Sequence, residues 1–411
     1  QALEIGEKIN NKDININNKV SPDDMAFLQF TGGTTGDPKA VMLSHYNIIS
    51  NLDQSYDWVK GAFYKNKQNV VVTPLPLYHI FALVTNLLLF IKIGGLNILI
   101  PNPKDVDSFI KMIKDEKFHV ISGVNTLYNL LLNHPKFASC DVSKLKLAIA
   151  GGMRLEQGVA DKWCEVTGVN LTQGYGLTET SPVISICPIS SVDKRADKRA
   201  DKRADKSVGK NKLIEFNGSA GMAVKDTEIK IINEKGGVLS YVNYGIKPKK
   251  GEYGKNKKGE IVVRGPQVMQ GYWKNQEATN MVLDKDGWLK TGDYGYIDRD
   301  GYLFILDRLK DIIIVSGFNV CASEVEDLLI NMEGVAEVAV IGAKDKEHGE
   351  KVIAHIVLDN GLDGVILEQD IINYAHARLA AYKSPTEVYF HKSLPKSNVG
   401  KVLKKSLKIL E

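Results

Sequence analysis

Short hydrophobic runs alternate with longer polar or mixed stretches through the first half of the chain. The runs at residues 70–72, 96–100, 120–121 and 147–150 predict buried strands, and residues 44–60 predict a helix. Strands that alternate with helices are typical of a mostly parallel sheet covered by helices. The pattern therefore predicts an α/β fold for this part of the chain.

The pattern of apolar and polar positions changes after residue 221. Short strands of alternating polarity are predicted at 228–232 and 259–263, among many glycines. Such a pattern is typical of a small β-barrel or a distorted sheet. We expect this region to form a small β-barrel subdomain of the larger domain.

A compact α+β pattern follows Asp307. It predicts strands at 337–341 and 352–358 and a helix at 369–381. The expected division of the chain is a large domain at 1–306, a charged connector that suits a hinge at 307–310 and a small domain at 311–411.

One segment fits neither pattern. The unit Asp193-Lys194-Arg195-Ala196 recurs at 197–200 and 201–204, inside a charged insert at 191–217. The repeat has no apolar face, so it cannot contribute to a core. We expect a tolerated surface loop, and an arm for an anionic membrane or a partner stays open as the alternative.

The amino-acid composition excludes several classes of function for this chain. The 411 residues include 53 basic and 49 acidic side chains, and the net charge of +4 does not favour nucleic acid. The four cysteines (140, 164, 187 and 321) form no C-x-x-C pair, so a reducing compartment fits and a zinc site is not expected. No apolar run approaches the ~18 residues of a membrane helix. The chain begins with Gln1 rather than Met, which suggests a fragment.

The strongest chemical signal is a loop that follows the apolar run 25–30. It reads Thr31-Gly32-Gly33-Thr34-Thr35-Gly36-Asp37-Pro38-Lys39. Such a loop offers backbone N–H groups, hydroxyls and one cation, which suits a triphosphate. It is not the common G-x-x-x-x-G-K-[ST] loop, because Lys39 comes two positions late and Ala40 lacks a hydroxyl.

Four further stretches carry polar groups that suit a nucleotide, although each alone is equally well an ordinary turn. Segment 174–180 places an aromatic side chain and Glu179 in a glycine-rich turn, where they could meet a purine and Mg²⁺. Asp293 is expected at the end of a short strand, within reach of ribose. The charged connector 307–311 suits a hinge or a nucleotide contact, and Lys401 lies on a glycine turn.

In this order, these stretches resemble the adenylate-forming acyl-CoA synthetases, and within them the bacterial long-chain fatty acid:CoA ligases. The resemblance runs from about residue 21 to 408. The Gly32-Gly33 pair, where many relatives have Ser-Gly, supports that subgroup. The segments that carry the resemblance are 27–36, 75–83, 122–128, 265–273, 315–320 and 395–401.

Three departures from the family pattern stand out. The family has a long portion before the threonine-rich loop, so the resemblance implies an N-terminally truncated chain. Ala40 stands where the family usually has Gly. Cys321-Ala322 replaces the common Tyr-Pro.

The resemblance implies a reaction in two steps. A fatty carboxylate attacks the α-phosphorus of ATP, giving acyl-AMP and pyrophosphate, and the thiol of coenzyme A then attacks the acyl carbonyl. Mg²⁺ is the implied cofactor. The resemblance implies that Thr31 and Glu179 hold Mg²⁺, and that the phosphates are bound by Gly32, Gly33, Thr34, Thr35, Gly36 and Lys39. Adenine would be lined by Gly151, Gly152, Gly174 and Tyr175, with Thr178 also at the nucleotide, and ribose would be bound by Asp293 and Arg308. The implied catalytic residues are Lys401 and Glu179.

The family also implies a moving small domain. Lys401 would leave the site when this domain swings about Asp307 and presents the Gly317 strand for the thiol step. His79 and Phe81, with the helix at 124–132, would wall an apolar acyl tunnel. The implied partners are ATP, a long-chain fatty acid and coenzyme A, without nucleic acid. We expect a cytoplasmic location with peripheral contact at the inner membrane, and a homodimer is left open.

Two other functions stay open at this point. One is an adenylate-forming ligase that uses a different acid or stops at acyl-AMP. The other is a truncated, non-catalytic remnant that binds nucleotide at most. The presence of Lys39, Glu179, Asp293, Arg308 and Lys401 favours an enzyme, whereas the absent N-terminal portion and the repeat favour a remnant.

Overall fold

The structure is a computed structural model that describes residues 19–31, 38–189, 216–359, 361–362, 364–396 and 402–407. The charged repeat, residues 32–36 of the threonine-rich loop and Lys401 lie outside these ranges.

The regular elements are numbered along the chain. The strands are β1 (Met25–Thr31), β2 (Lys39–Ser44), β3 (Val70–Thr73), β4 (Leu96–Leu99), β5 (Val120–Gly123), β6 (Leu147–Ala150), β7 (Leu171–Gly176), β8 (Val183–Ile186), β9 (Met222–Ala223), β10 (Glu228–Ile232), β11 (Val238–Asn243), β12 (Gly259–Arg264), β13 (Gly271–Tyr272), β14 (Leu289–Ile297), β15 (Leu303–Arg308), β16 (Ile312–Val315), β17 (Phe318–Cys321), β18 (Val335–Asp345), β19 (Gly349–Leu358) and β20 (Glu387–Phe390).

The α-helices are α1 (His45–Val59), α2 (Ile80–Ala82), α3 (Leu89–Lys92), α4 (Val106–Ile113), α5 (Asn125–Leu132), α6 (Gln157–Thr167), α7 (Gln276–Val282), α8 (Ala322–Leu329), α9 (Glu368–His376) and α10 (Lys404–Leu407). A π-helical segment, Leu83–Leu88, joins α2 to α3. The 3-10 turns are Lys60–Ala62, Phe137–Ser139, Thr178–Thr180, Leu309–Asp311 and Ala381–Lys383.

A seven-stranded sheet in the order β4-β3-β5-β6-β7-β8-β9 confirms the predicted α/β architecture. Its pairs from β4 to β7 are parallel, and β8 and β9 run antiparallel at one edge. Ligands bind at the carboxyl ends of such parallel strands. A ligand site is therefore expected beside the segments that follow β6 and β7.

Alternate residues of the central strands pack into two separate cores, one on each face of this sheet. Val71 and Val120 belong to the core that contains α1, whereas Val72 and Ile121 belong to the core that contains α4 to α6. Because side chains alternate across a strand, a strand covered on both faces must be apolar throughout. This accounts for the short continuous hydrophobic runs in the sequence.

Local capping places the first helix where the sequence predicts it. The Ser44 hydroxyl accepts a hydrogen bond from the Asn47 backbone N–H at 3.1 Å, and the Asn47 side chain accepts one from the Ser44 N–H at 2.9 Å. Such a reciprocal cap satisfies two helix N–H groups that otherwise lack partners. The helix then runs from His45 to Val59, so the prediction at 44–60 is confirmed.

Two further sheets complete the part before residue 309. Strands β1, β2 and β13 form a three-stranded sheet, and five antiparallel strands form another in the order β11-β10-β12-β14-β15. Among the described residues β11 and β15 do not pair, so this second sheet is open. The region expected to be a small β-barrel is thus a distorted open sheet with register shifts in several pairs.

The last third of the chain has its own sheet and core. Strands β17-β16-β19-β18 form the sheet, and β20 pairs with β19. Helices α8 and α9 bury Val325, Leu329 and Ile371 against it. The predicted helix at 369–381 ends earlier, at His376, and Ala381 begins a separate 3-10 turn. The chain leaves the open antiparallel sheet at Arg308 and enters the C-terminal sheet at Ile312, so it changes sheets at the segment expected to be a hinge.

Three other local predictions need correction. Gly174 and Tyr175 lie inside β7 rather than in a turn, because they pair with β8. Asp293 lies in the middle of the nine-residue strand β14, not at the end of a short one. Gly317 lies in the two-residue turn between β16 and β17, not in a strand, because its φ of +82° suits a tight hairpin turn. In the described part of the chain, no helix has both the length and the apolarity needed to cross a membrane.

Candidate active site

A cleft of about 2380 Å³ opens at the carboxyl ends of β6 and β7 and extends to the C-terminal part of the chain. This cleft is lined by most of the described residues that were predicted to form the site. They are Thr31, Lys39, His79, Phe81, Gly151, Gly152, Gly174, Tyr175, Thr178, Glu179, Asp293, Asp307 and Arg308.

The floor of the cleft is crowded around Gly151. A Cβ atom there would lie 3.1 Å from the Phe81 ring and 3.4 Å from the Gly174 carbonyl oxygen. The next residue, Gly152, has a φ of +75°, which favours glycine. The two glycines after β6 thus let the Phe81 ring approach the backbone of β7.

Asp293 is the centre of a buried polar cluster. The Tyr175 hydroxyl donates to its Oδ2 at 2.5 Å, and the Arg308 Nε lies 2.8 Å from its Oδ1. Strand pairing sets this geometry, because Asp293 and Arg308 face each other between β14 and β15. Burial, reinforced by the Asp293 charge, raises the pKa of Tyr175 well above its usual range, so the phenol stays a donor.

A second cluster joins the threonine-rich loop to the segment after β7. The Tyr272 hydroxyl donates to Glu179 Oε1 at 2.8 Å. The Lys39 ammonium lies 4.9 Å from the centre of the Tyr272 ring. Burial, together with the neighbouring Glu179 carboxylate, raises the pKa of Tyr272 and keeps its hydroxyl protonated.

His79 begins the helical segment that carries Phe81. Its Nδ1 accepts a hydrogen bond from the Phe81 backbone N–H at 3.3 Å, which caps the helix. Burial lowers the pKa of His79, so the imidazole is neutral at pH 7. It can therefore orient this wall of the cleft but adds no positive charge to it.

The helix at 124–132, expected as an acyl wall, lines the cleft with a mostly polar face. Helix α5 buries Leu127, Tyr128 and Leu131 in the core. The cleft meets Asn125, Thr126, Asn129 and Leu130 from this helix, because the helical period places them away from Leu127 and Leu131. The apolar residues that line the cleft come largely from other elements, and they include Ile80, Phe81, Leu89, Ile149, Val183 and Ile186.

The C-terminal part closes the cleft through charged contacts around Asp307. The Asp307 carboxylate accepts hydrogen bonds from the backbone N–H groups of Ser323, at 3.0 Å, and Arg308, at 2.8 Å. Lys404 lies 2.8 Å from Glu326. Burial opposes the charge of Lys404, but the carboxylates of Glu326 and Asp307 outweigh it and raise the lysine pKa.

One ion pair joins the two parts directly. The Arg154 Nη1 lies 2.5 Å from Asp327 Oδ2, and both residues line the cleft. Arg154 follows Gly152 after β6, whereas Asp327 belongs to α8. This contact fixes the side of α8 that faces the cleft.

Gly317 is not among the residues that line the cleft. By contrast, Lys396 and Val402, which pair with each other on either side of Lys401, both line it. Gly32, Gly33, Thr34, Thr35, Gly36 and Lys401 fall outside the described residues.

The sequence patterns did not predict a role for Tyr272, Arg154 or Lys404. Tyr272 lies in a segment that carries the family resemblance, and this position is the one signal that points to it. Arg154 and Lys404 gave no such signal, because their partners Asp327 and Glu326 are distant in sequence.

The oxygen atoms in the cleft suit a hard cation that also binds the phosphates of a nucleotide. Thr31 and Glu179 offer oxygen atoms, which Mg²⁺ prefers. Within the described ranges, no group of three or more His, Cys, Asp or Glu side chains could hold a metal ion. An ion bound here would therefore need oxygens from a nucleotide or from water, as is usual for Mg²⁺ in phosphate-transfer sites.

Comparison with protein families identifies two matching regions. Residues 2–273 match the AMP-binding enzyme family, and residues 324–401 match the AMP-binding enzyme C-terminal domain. The long-chain-fatty-acid–CoA ligase of Escherichia coli O157:H7 is 41% identical over 387 residues, covering 94% of this chain and 62% of the relative. The enzyme of that name from Bacillus subtilis is 38% identical, with 95% and 62% coverage. The chain thus spans less than two thirds of the length of these relatives.

Solved structures show the same architecture. ATP-bound MatB from Rhodopseudomonas palustris is 30% identical and superposes with a TM-score of 0.77, covering 95% of this chain and 69% of that one. The o-succinylbenzoate CoA synthetase MenE of Bacillus subtilis, in complex with its acyl-adenylate intermediate, is 29% identical with a TM-score of 0.73, covering 95% and 70%. The family match over most of the chain, the shared fold and the cleft between its two parts lead to one conclusion: the chain belongs to the AMP-binding enzyme family.

Proposed function

We propose that this chain carries the adenylate-forming site of a long-chain fatty acid:CoA ligase. The observation that carries the proposal is the convergence, in one cleft, of Lys39, Glu179, Asp293 and Arg308, which are far apart in sequence. The 41% and 38% identity to long-chain-fatty-acid–CoA ligases supports the choice of acid.

In the proposed first step, a fatty carboxylate oxygen attacks the α-phosphorus of ATP and pyrophosphate leaves. Negative charge gathers around the phosphorus, so cations and N–H donors must be in place beforehand. Thr31 and Glu179 would hold Mg²⁺, which supplies charge neutralisation at the phosphates. Lys39, with the loop residues Gly32, Gly33, Thr34, Thr35 and Gly36, would cradle the outer phosphates.

The nucleoside would lie along β7. Gly151, Gly152 and Gly174 would leave room for adenine, with Tyr175 and Thr178 at its edges. Asp293 would accept hydrogen bonds from ribose hydroxyls, and Arg308 would hold this carboxylate in place. The contacts of Asp293 with Tyr175 and Arg308 support this role, because they fix a buried acceptor at the cleft surface.

In the proposed second step, the thiol of coenzyme A attacks the acyl carbonyl and AMP leaves. Lys401 would serve the first step, with the small domain of residues 311–411 turning about Asp307 before the second. The present arrangement suits the first step, since the segments flanking Lys401 line the cleft and the Gly317 turn does not. The small domain would then bring Gly317 to the cleft for the thiol step.

His79 and Phe81 would border the acyl chain. No disulfide joins the four cysteines, all of which lie in the described ranges, and this supports a cytoplasmic location. Peripheral contact with the inner membrane would bring the enzyme to its apolar substrate, and a homodimer stays open.

The second candidate function is a ligase for another acid. A 4-coumarate–CoA ligase from Nicotiana tabacum is 33% identical over 95% of this chain, and α5 presents asparagines to the cleft.

The test is palmitate-dependent exchange of pyrophosphate into ATP, measured beside thioester formation from supplied palmitoyl-AMP. Lys401→Ala should lower exchange by about 10²–10³ while largely sparing the thioester step, because one preorganised charge donor is lost. Lys392→Ala, a change of an exposed lysine outside the cleft lining, is the matched control. Equal loss in both steps would contradict the role of Lys401. Absence of exchange by the unchanged chain would favour the non-catalytic remnant.

A further inference from the structure

Tyr272 connects two groups of the proposed ATP site that come from separate parts of the sequence. Its hydroxyl donates to Glu179 Oε1 at 2.8 Å, and its ring lies 4.9 Å from the Lys39 ammonium. Its side chain is buried, with 7% of its surface exposed. One rigid side chain thus contacts both the expected metal ligand and the expected phosphate cation.

The backbone around Tyr272 holds this side chain in one place. Strand β13 pairs with β2, so that Tyr272 faces Val41, and the Tyr272 N–H donates to the Thr279 hydroxyl at 2.9 Å. Lys39 is two residues before Val41 on β2, so both side chains leave the same face of that strand. The strand register therefore places the Lys39 ammonium over the Tyr272 ring.

We propose that Tyr272 is a positioning residue that presets Glu179 for Mg²⁺ and Lys39 for the phosphates of ATP. The inference rests on the proposed function. By donating to Glu179 Oε1, the Tyr272 hydroxyl would hold the carboxylate in place and leave Oε2 for a metal ion. By attracting the ammonium to its ring face, it keeps Lys39 at the cleft before ATP arrives.

Each half of this role has its own variant. Tyr272→Phe removes the hydrogen bond to Glu179 but keeps the ring beneath Lys39. Tyr272→Leu removes both. Tyr241→Phe is the matched control, because the Tyr241 hydroxyl also donates to a carboxylate, Glu228 Oε2 at 2.6 Å, away from the cleft.

The experiment measures the dissociation constant of ATP by calorimetry, in EDTA and in saturating Mg²⁺. The ratio of the two constants gives the coupling between metal and nucleotide without any need for turnover. Tyr272→Phe should reduce this coupling by about 10-fold, as expected when a partner of a metal ligand is lost, and should leave ATP binding in EDTA unchanged. Tyr272→Leu should weaken ATP binding in EDTA as well. Tyr241→Phe should change neither constant.

A double substitution tests the Glu179 half of the role without using the Tyr272→Leu protein. If Tyr272 acts through Glu179, Glu179→Gln with Tyr272→Phe should reduce coupling no further than Glu179→Gln alone. Coupling in Tyr272→Phe equal to that of the Tyr241→Phe control would overturn the inference and leave the proposed function intact. If the unchanged chain does not bind ATP at all, the proposed function fails, and this inference fails with it.

Discussion

Arg154 and Asp327 form an ion pair that holds α8 against the loop after β6. The Nη1 and Oδ2 atoms are 2.5 Å apart, and the side chains are 49% and 43% exposed. The pair joins two parts of the chain with separate sheets and separate cores. It therefore stabilises this relative arrangement of the two parts rather than the fold of either.

Breaking this pair should favour other arrangements of the C-terminal part. A half-exposed ion pair contributes about 0.2–1 kcal/mol, so Arg154→Ala should slow acyl-AMP formation by up to about 5-fold. The thioester step from supplied acyl-AMP should be unchanged or faster. Lys247→Ala, which breaks an exposed pair with Asp300 away from the cleft, should affect neither step. An equal loss in both steps would show that Arg154 acts elsewhere.

Asp293→Asn should weaken ATP binding more than fatty acid binding. Asp293 is 3% exposed, and its carboxylate is held by Tyr175 and Arg308. An amide accepts at only one atom, so one of these donors loses its partner. We expect a loss of about 1–3 kcal/mol in the free energy of unfolding.

The distinguishing measurement for Asp293 is the ratio of KM values. The KM for ATP should rise at least several-fold while the KM for palmitate changes little. Asp300→Asn, at a 46% exposed carboxylate, is the control for a change of charge alone. A parallel rise in both KM values would indicate general loss of structure instead of a ribose contact.

Specificity constants should rise with acyl chain length from hexanoate to at least palmitate. The physical reason is the apolar lining, which includes Phe81, Leu89, Ile149, Val183 and Ile186, since each buried CH₂ contributes ~0.8 kcal/mol. Acetate and aromatic acids should be poor substrates. A maximum at acetate, benzoate or coumarate would overturn the long-chain proposal and leave adenylation chemistry intact.

Acidification should destabilise the C-terminal sheet through His355. Its Nδ1 lies 2.8 Å from His391 Nε2, and burial, with a smaller effect of the His391 charge, lowers the pKa of His355 to about 4. Between pH 6.5 and 4 the unfolded chain binds a proton that the folded chain does not. Stability that is present above pH 6.5 is therefore lost as the pH falls through this interval.

Urea unfolding at several pH values measures this effect. His355→Asn should be less stable at pH 7 but should show a flatter decline in unfolding free energy between pH 6.5 and 4. His376→Asn, which changes an exposed histidine on α9, should keep the slope of the unchanged protein. An unaltered slope in His355→Asn would contradict the assignment.

Local sequence patterns account for the regular elements and for much of the chemistry. The apolar runs predict the central strands because a strand covered on both faces has to be apolar at every position. Ser44 and Asn47 mark the start of α1 because a cap needs only neighbours in sequence. Glu179 and Asp293 were named as site residues from the chemistry of their own short segments.

The tertiary structure decided which of these groups meet. Tyr272 reaches Glu179 across 93 residues, and Tyr175 reaches Asp293 across 118, because strand register and sheet order bring distant segments together. The same holds for Arg154 and Asp327, and for α5, which buries Leu127 and Leu131 in the core but turns Asn129 and Leu130 to the cleft. Local sequence patterns do not show which distant segments will meet, because the pairing of strands and the orientation of each helix are fixed only when the separate cores form.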